Sequence, residues 1–424
     1  MNDTSPKANR FRRILAKLFL VLLGFFFGAI VAEVALRIVG YSYPEFYVLD
    51  QVRGYALRPG AEGWYRKEGE AYIRINSDGL RDREHSIAKP ENTFRIAILG
   101  DSYPEALSVP VHEAFWSVMQ KRLQECIGMA GKNVEVINFG VSGYGTAQEL
   151  LTLREEVWKY SPDLVMLAVT TNNDIADNLR ALKKTDEIPY FVYQQNGLVL
   201  DSSFTTSRAF IWRQKTISSI GRWFRDHSRL VQATIEGHHA LKIRTAAWRA
   251  QSETKKPNAE QTSPMAPGQP SQTEEQLSRS DELGIDNLIY LEPGNADWNE
   301  AWRVTEGLIA TMRDETKTRG ARFVVVTLSN GIQVVPNPLV REAFMRKLGI
   351  ADIFYPDYRI KTFCTHHAIP VITLAPDLQQ LAEGKNAFLH GFGPNIGNGH
   401  WNPMGHSAAG DILSKKLCEE VLSK

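Results

Sequence analysis

Apolar residues come in short unbroken runs along much of the chain, and each run is followed by a longer stretch with helical spacing. "TFRIAIL" begins at residue 93 and precedes "VHEAFWSVMQKRLQECIGM"; "VEVINFG" precedes "AQELLTLREEVWKY"; "DLVMLAV" is apolar along its whole length. Farther on, "AWRVTEGLIATMRDETKTRG" leads into "ARFVVVTL", and "DYRIKTFCTHHA" into "IPVITLA", with a last helical stretch from about Pro403 to Val421. Strands that are apolar on both faces belong inside a parallel sheet covered by helices on each side. The pattern therefore predicts one doubly wound, three-layer α/β/α domain from about residue 93 to the C-terminus.

Two regions break the alternation. Residues 41–92 are rich in Tyr, Gly, Arg and Pro, with a strand predicted at "AYIRINSDGLRD"; Tyr47, Tyr55, Trp64, Tyr65 and Tyr72 there point to an ordered lead-in packed on the domain. From about 180 to 250 lies an insertion whose later part, Thr206–Ala250, carries nine Lys and Arg against two acidic residues, with Phe, Ile and Trp between them. It reads as basic amphipathic helix, either packed on the domain with a solvated basic face or adhering to an anionic membrane or polymer. Residues 251–285, rich in Pro, Ser, Gln and Glu, have almost no large apolar side chains and are expected to be disordered.

The N-terminus changes the picture most. Lys7, Arg10, Arg12, Arg13 and Lys17 form a basic tail over residues 1–17, and no charge interrupts Leu18–Ala32. Extended through "EVALRIVGY", the apolar stretch over 18–40 approaches the roughly 20 residues that a membrane helix needs. A cleaved signal peptide is the competing reading, but no A-x-A site follows. With the basic flank cytoplasmic, the rest of the chain would lie outside the cytoplasm, in the periplasm or at the cell surface. Net charge is +1, which gives no global field for nucleic acid. The three cysteines, Cys126, Cys364 and Cys418, lack metal-ligand spacing. A Cys126–Cys418 bridge would form if the helices that carry them pack together.

In an open α/β sheet, ligands bind beyond the carboxyl ends of the strands. Those ends carry Gly100-Asp101-Ser102, then "NFGVSGYGT" (138–146), "TTNNDIADN" (170–178) and "GNGHWNPMGH" (397–406). Each residue taken alone has an ordinary explanation: Ser102 as a turn residue, Asn173 as a cap, His400 as packing, with Asn402-Pro403 a good start to a helix. Together they suit acyl transfer. A serine hydroxyl needs a base such as histidine to take its proton, and the tetrahedral intermediate needs donors aimed at its oxyanion. The pairs His238-His239 and His366-His367 have no spaced carboxylate partner for a metal, and "GVSGYG" does not follow the dinucleotide-binding pattern.

The four loops, in this order, resemble the SGNH hydrolase superfamily of GDSL-type esterases, whose fold is a flavodoxin-like α/β/α domain. The resemblance implies Ser102 as nucleophile and His400 as general base. It also implies an oxyanion hole made by the N–H of Ser102, the N–H of Gly143 and the side chain of Asn173, with no cofactor or metal. Two positions depart from the family pattern. Thr171 replaces a glycine in the third block, and the aspartate two or three residues before the histidine is replaced by Asn398 or Gly397. Asn398 could orient the ring without supplying charge; a backbone carbonyl or a distant carboxylate such as Asp377 are the other options. The implied activity is a membrane-anchored serine esterase that removes acyl groups, above all O-acetyl, from an extracytoplasmic carbohydrate. O-acyl transfer to an exported polysaccharide with assembly partner proteins, or glycan binding on a degenerate hydrolase fold, are the alternatives.

Overall fold

The computed structural model describes residues 6–195, 197–214, 216–238, 241, 245 and 286–422. The stretch over 251–285 expected to be disordered lies outside the described residues. The chain divides into two compact units, residues 1–45 with 215–264, and residues 46–214 with 265–424.

The second unit holds the site. It opens with two antiparallel hairpins, β1 (Tyr47–Asp50) with β2 (Gly54–Leu57), and β3 (Glu62–Tyr65) with β4 (Ala71–Arg74). Next come β5 (Thr93–Gly100), β6 (Asn133–Asn138) and β7 (Leu164–Val169), the first three strands of the central sheet. β8 (Tyr190–Gln194) and β9 (Gly197–Asp201) form a separate hairpin at the start of the insertion; β10 (Arg322–Thr327) and β11 (Val371–Thr373) complete the sheet. Its five strands run in the order β11-β10-β7-β5-β6, and every pairing is parallel.

Unbroken apolarity follows from burial on both faces. Along β5, Ala97 and Leu99 pack with Val165, Leu167 and Val325 on one side, while Ile96 and Ile98 meet Met166, Val324 and Val326 on the other. Each such side chain contributes about 1.5–3 kcal/mol when fully buried. Helices at Thr146–Glu155 (α4), Ala296–Thr318 and Tyr355–His366 cover the first face; those at Phe115–Leu123 (α3) and Pro403–Lys416 cover the second. The last two are joined near their ends by a Cys126–Cys418 disulfide, whereas Cys364 is buried and free. This is the three-layer α/β/α arrangement that the sequence pattern predicts.

The first unit contains α1 (Pro6–Ile38), whose segment Arg12–Ile38 has a mean hydropathy of 2.6 over its most apolar window and none of that window buried. Its length and composition are sufficient to cross a bilayer.

Candidate active site

Ser102 stands at the first position of α2 (Ser102–Glu105), directly beyond β5. Asp101 caps this short helix by accepting from the N–H of Tyr103 at 3.2 Å. The same fully buried carboxylate accepts from Thr170 Oγ1 at 2.7 Å and from Asn173 Nδ2 at 3.3 Å. Asp101 thus ties the first block to the third, where α5 (Asn173–Ala176) begins beyond β7. Thr171, where the resemblance implies a glycine, is buried and accepts from Asn330 Nδ2 at 3.3 Å.

The second block is fixed from beneath by Glu105. Its buried carboxyl accepts from Tyr47 Oη at 2.9 Å and from the N–H of Ser142. Burial pushes this carboxyl up to about 8, although both donors favour the charged form. Gly143 follows with φ +79°, and a Cβ there would lie 2.7 Å from Tyr55 Oη, so the close approach and the left-handed backbone both call for glycine. Tyr55 Oη in turn donates to the Ser142 carbonyl at 2.9 Å.

His400 lies on a loop closed by the N–H of Gly391 donating to His400 O at 2.9 Å and the N–H of Asn402 donating to Leu389 O at 3.0 Å. Asn402 then caps the helix that starts at Pro403. Beneath the loop, buried His390 donates from Nδ1 to Gly399 O at 2.6 Å and accepts from Ser329 Oγ at 2.9 Å. Burial holds His390 at about 4 and His406 at about 3, so both rings are neutral supports at ordinary pH. Tyr103 packs against His400 with ring centroids 5.2 Å apart.

His400 Nε2 lies 2.7 Å from Ser102 Oγ. Its Nδ1 lies 2.5 Å from Glu68 Oε2, and its backbone N–H donates to Glu68 Oε1 at 2.8 Å. Burial pushes the Glu68 carboxyl up, but the hydrogen bonds and charge of His400 outweigh it and leave the group below its usual range. Burial likewise pushes His400 down, while Glu68 more than offsets this and holds the imidazole above its ordinary value. An ionised Glu68 can only accept, so Nδ1 carries the hydrogen and Nε2 presents its lone pair to Ser102. That is the tautomer a general base needs.

Glu68 comes from the turn between β3 and β4, far upstream of the histidine loop. The carboxylate expected on that loop is replaced from outside it. Asn398 is exposed, and Nδ1 of His400 is occupied by Glu68 instead. Glycines 397 and 399 take positive φ on either side of Asn398, and the Asn398 N–H is spent on Asn395 O at 3.0 Å. Asp377 pairs with Lys416 at 3.0 Å. Gly399 is what admits Glu68: its φ is +85°, and a Cβ there would overlap Glu68 Oε1.

Ser102, Gly143, Asn173 and His400 thus gather at the carboxyl edge of the sheet, with Glu68 behind the histidine. No described residue accepts from the N–H of Ser102 or Gly143, which leaves two backbone donors for a ligand oxygen. Asn173 Nδ2 has a second hydrogen beyond the one directed at Asp101. Among the described residues, no group of three or more His, Cys, Asp or Glu side chains is placed to hold a metal.

No protein-family model matches this sequence, and a comparison with curated proteins finds no match. Several solved structures are similar. An acetyl xylan esterase aligns over 76% of this chain and 100% of its own, with 11% identity and a TM-score of 0.35. A GDSL-like lipase from Bacteroides thetaiotaomicron aligns over 79% and 92%, with 13% identity and a TM-score of 0.33. A catalytic mutant of an acetylxylan esterase from Geobacillus stearothermophilus aligns over 76% and 94%, with 11% identity and a TM-score of 0.36.

Proposed function

We propose that this protein is a serine ester hydrolase that removes acyl groups, O-acetyl foremost, from a carbohydrate outside the cytoplasm. The observation that carries the reading is the unbroken chain Ser102 Oγ, His400, Glu68, at 2.7 and 2.5 Å. In the acylation step Ser102 Oγ attacks the ester carbonyl carbon while His400 Nε2 takes the hydroxyl proton. Negative charge on the former carbonyl oxygen meets the N–H groups of Ser102 and Gly143 and the Asn173 amide. Collapse breaks the acyl–oxygen bond, and His400 gives its proton to the departing sugar oxygen, which leaves as the hydroxyl. Water, deprotonated by the same nitrogen, then attacks the acyl-enzyme and releases the carboxylic acid. Glu68 stabilises the imidazolium that forms in both steps.

The location rests on other features. The basic flank before α1 favours a cytoplasmic N-terminus with the remainder translocated, and the Cys126–Cys418 bridge suits an oxidising compartment. O-acetylated glycans are esters available there. The test is covalent. Full-length protein treated with a fluorophosphonate should be labelled on Ser102, with labelling abolished in Ser102→Ala and strongly slowed in His400→Ala. It should also release acetate from an acetylated glycan with water as the only acceptor. Folded protein that takes no label and releases no acetate would leave a non-catalytic glycan-binding role.

A further inference from the structure

Helix α8 is turned the opposite way from a helix on a water-soluble domain. Following α6 (Arg180–Lys183) and α7 (Arg208–Gln214), α8 runs from Thr216 to His227 and belongs to the first unit. Ile220, Trp223 and Phe224 are 54%, 55% and 51% exposed, and His227, stacked on Trp223 at 4.6 Å, continues the stripe. Their spacing puts all four on one helical face. Arg222, Arg225 and Asp226, on the other side, are only half exposed. Arg225 reaches Glu45 at 3.0 Å and lies 6.0 Å from the centre of the Tyr43 ring. Water selects the reverse arrangement, with charge outward and aromatics inward.

The stripe is held at one end of the apolar helix α1. Arg37 Nη2 donates to the carbonyl of His227, the last residue of α8, at 2.6 Å. Glu33 accepts from Ser228 Oγ at 2.9 Å and from the N–H groups of Arg229 and Leu230 at 3.0 and 2.9 Å, capping the helix over 229–238 that follows. The N–H of Tyr43 donates to Gln232 Oε1 at 2.8 Å. These bonds fix the end of α8 beside residues 33–37, where α1 would leave a bilayer.

We propose that α8 lies in the headgroup layer of the membrane that α1 enters, with Ile220, Trp223 and Phe224 reaching the acyl boundary. The proposal rests on the reading of α1 as a membrane anchor. The occupant of the exposed face is then lipid, because the face is continuous with the helix that enters it. Aromatic and aliphatic side chains on one face with arginines on the other are the composition of a helix in the plane of an interface.

The test uses the full chain in nanodiscs of phosphatidylethanolamine with a minor fraction of phosphatidylglycerol. A thiol introduced as Phe224→Cys is labelled with an environment-sensitive fluorophore; Cys364 is buried and the other cysteines are bridged. Phe26→Cys, within α1, and Leu339→Cys, 66% exposed on the other unit, are the references. Position 224 should be quenched by aqueous iodide about fivefold less than 339, and more by nitroxide near the lipid carbonyls than by nitroxide at the chain ends. If position 26 is reached by deep nitroxide while 224 is as open to iodide as 339, the anchor stands and the proposal falls. Shielding of 224 from iodide and from both lipid quenchers would put protein against this face and also overturn it. If neither lipid quencher reaches position 26, the anchor reading fails and takes the proposal with it.

Discussion

Replacing Glu68 by Gln removes one charge and changes little else, so it isolates what this carboxylate does. Glu68 accepts two hydrogen bonds, from Nδ1 and from the backbone N–H of His400. A glutamine amide has one acceptor, so its NH2 must face one of the two donors. If it faces Nδ1, the ring takes the other tautomer, and Nε2 carries a hydrogen where it should receive one from Ser102. The lost charge matters as well. A carboxylate and an imidazolium about 4 Å apart at an effective dielectric constant near 20 attract by about 4 kcal/mol, or roughly 10³ in rate. The His400 side chain is 34% exposed, so solvent screens part of this. An aspartate-to-asparagine change in a comparable triad lowers turnover by about 10⁴. The expected loss is therefore about 10²–10⁴ in kcat for a chromogenic acetate ester, with a parallel loss in fluorophosphonate labelling rate.

The pH profile separates charge from shape. A general base works deprotonated, so the rate climbs as pH passes the His400 value, which Glu68 holds above its ordinary range. Without the carboxylate the acid limb should move to lower pH even as the plateau drops. Retention of activity within about threefold, with an unmoved acid limb, would refute the assignment of Glu68. The refutation would be complete if Asn398→Ala abolished activity instead.

Two further outcomes follow from the same geometry. Gly399→Ala places a methyl group against Glu68 Oε1 at φ +85°, so the variant should fold, by thermal melt and circular dichroism, yet lose activity to about the level of Glu68→Gln. Glu105 titrates at about 8 when folded, well above its unfolded value, so its protonated form is the one the fold prefers. Stability is then lost as pH rises between the two values, by at most ~5 kcal/mol, and Glu105→Gln should flatten the fall of Tm from about pH 5 to 8. Parallel Tm profiles in the two proteins would count against this.

Most of the sheet was legible because parallel strands buried on both faces leave unbroken apolar runs, and β5, β7 and β10 are of that kind. The topology of such a sheet alone puts the Ser102, Gly143, Asn173 and His400 loops on one edge. The β8–β9 hairpin also has a sequence signal: "YFVYQQNGLVLD" carries Asn-Gly between apolar runs, the strongest local hairpin signal. Glu68 was harder to find. It sits in "RKEGE", a charged turn like any solvated one, and meets its partner across 332 positions of chain. The available hints were indirect, namely aromatics too numerous for a linker before residue 92 and glycines crowding His400 where an aspartate was expected.

A carboxylate that arrives on a hairpin outside the sheet makes acid and base separable in a way that a shared loop does not. A chain begun at residue 93 would keep each of the four signature loops, the parallel sheet and the disulfide, and would pass inspection as a whole catalytic domain. It would also lack Glu68. Searches that judge competence from the residues beside the histidine would score this protein as decayed, and would do the same to any chain wired like it. Domain boundaries drawn at the first strand of the sheet are therefore the wrong place to cut, because here the chemistry begins some 25 residues before the fold that displays it.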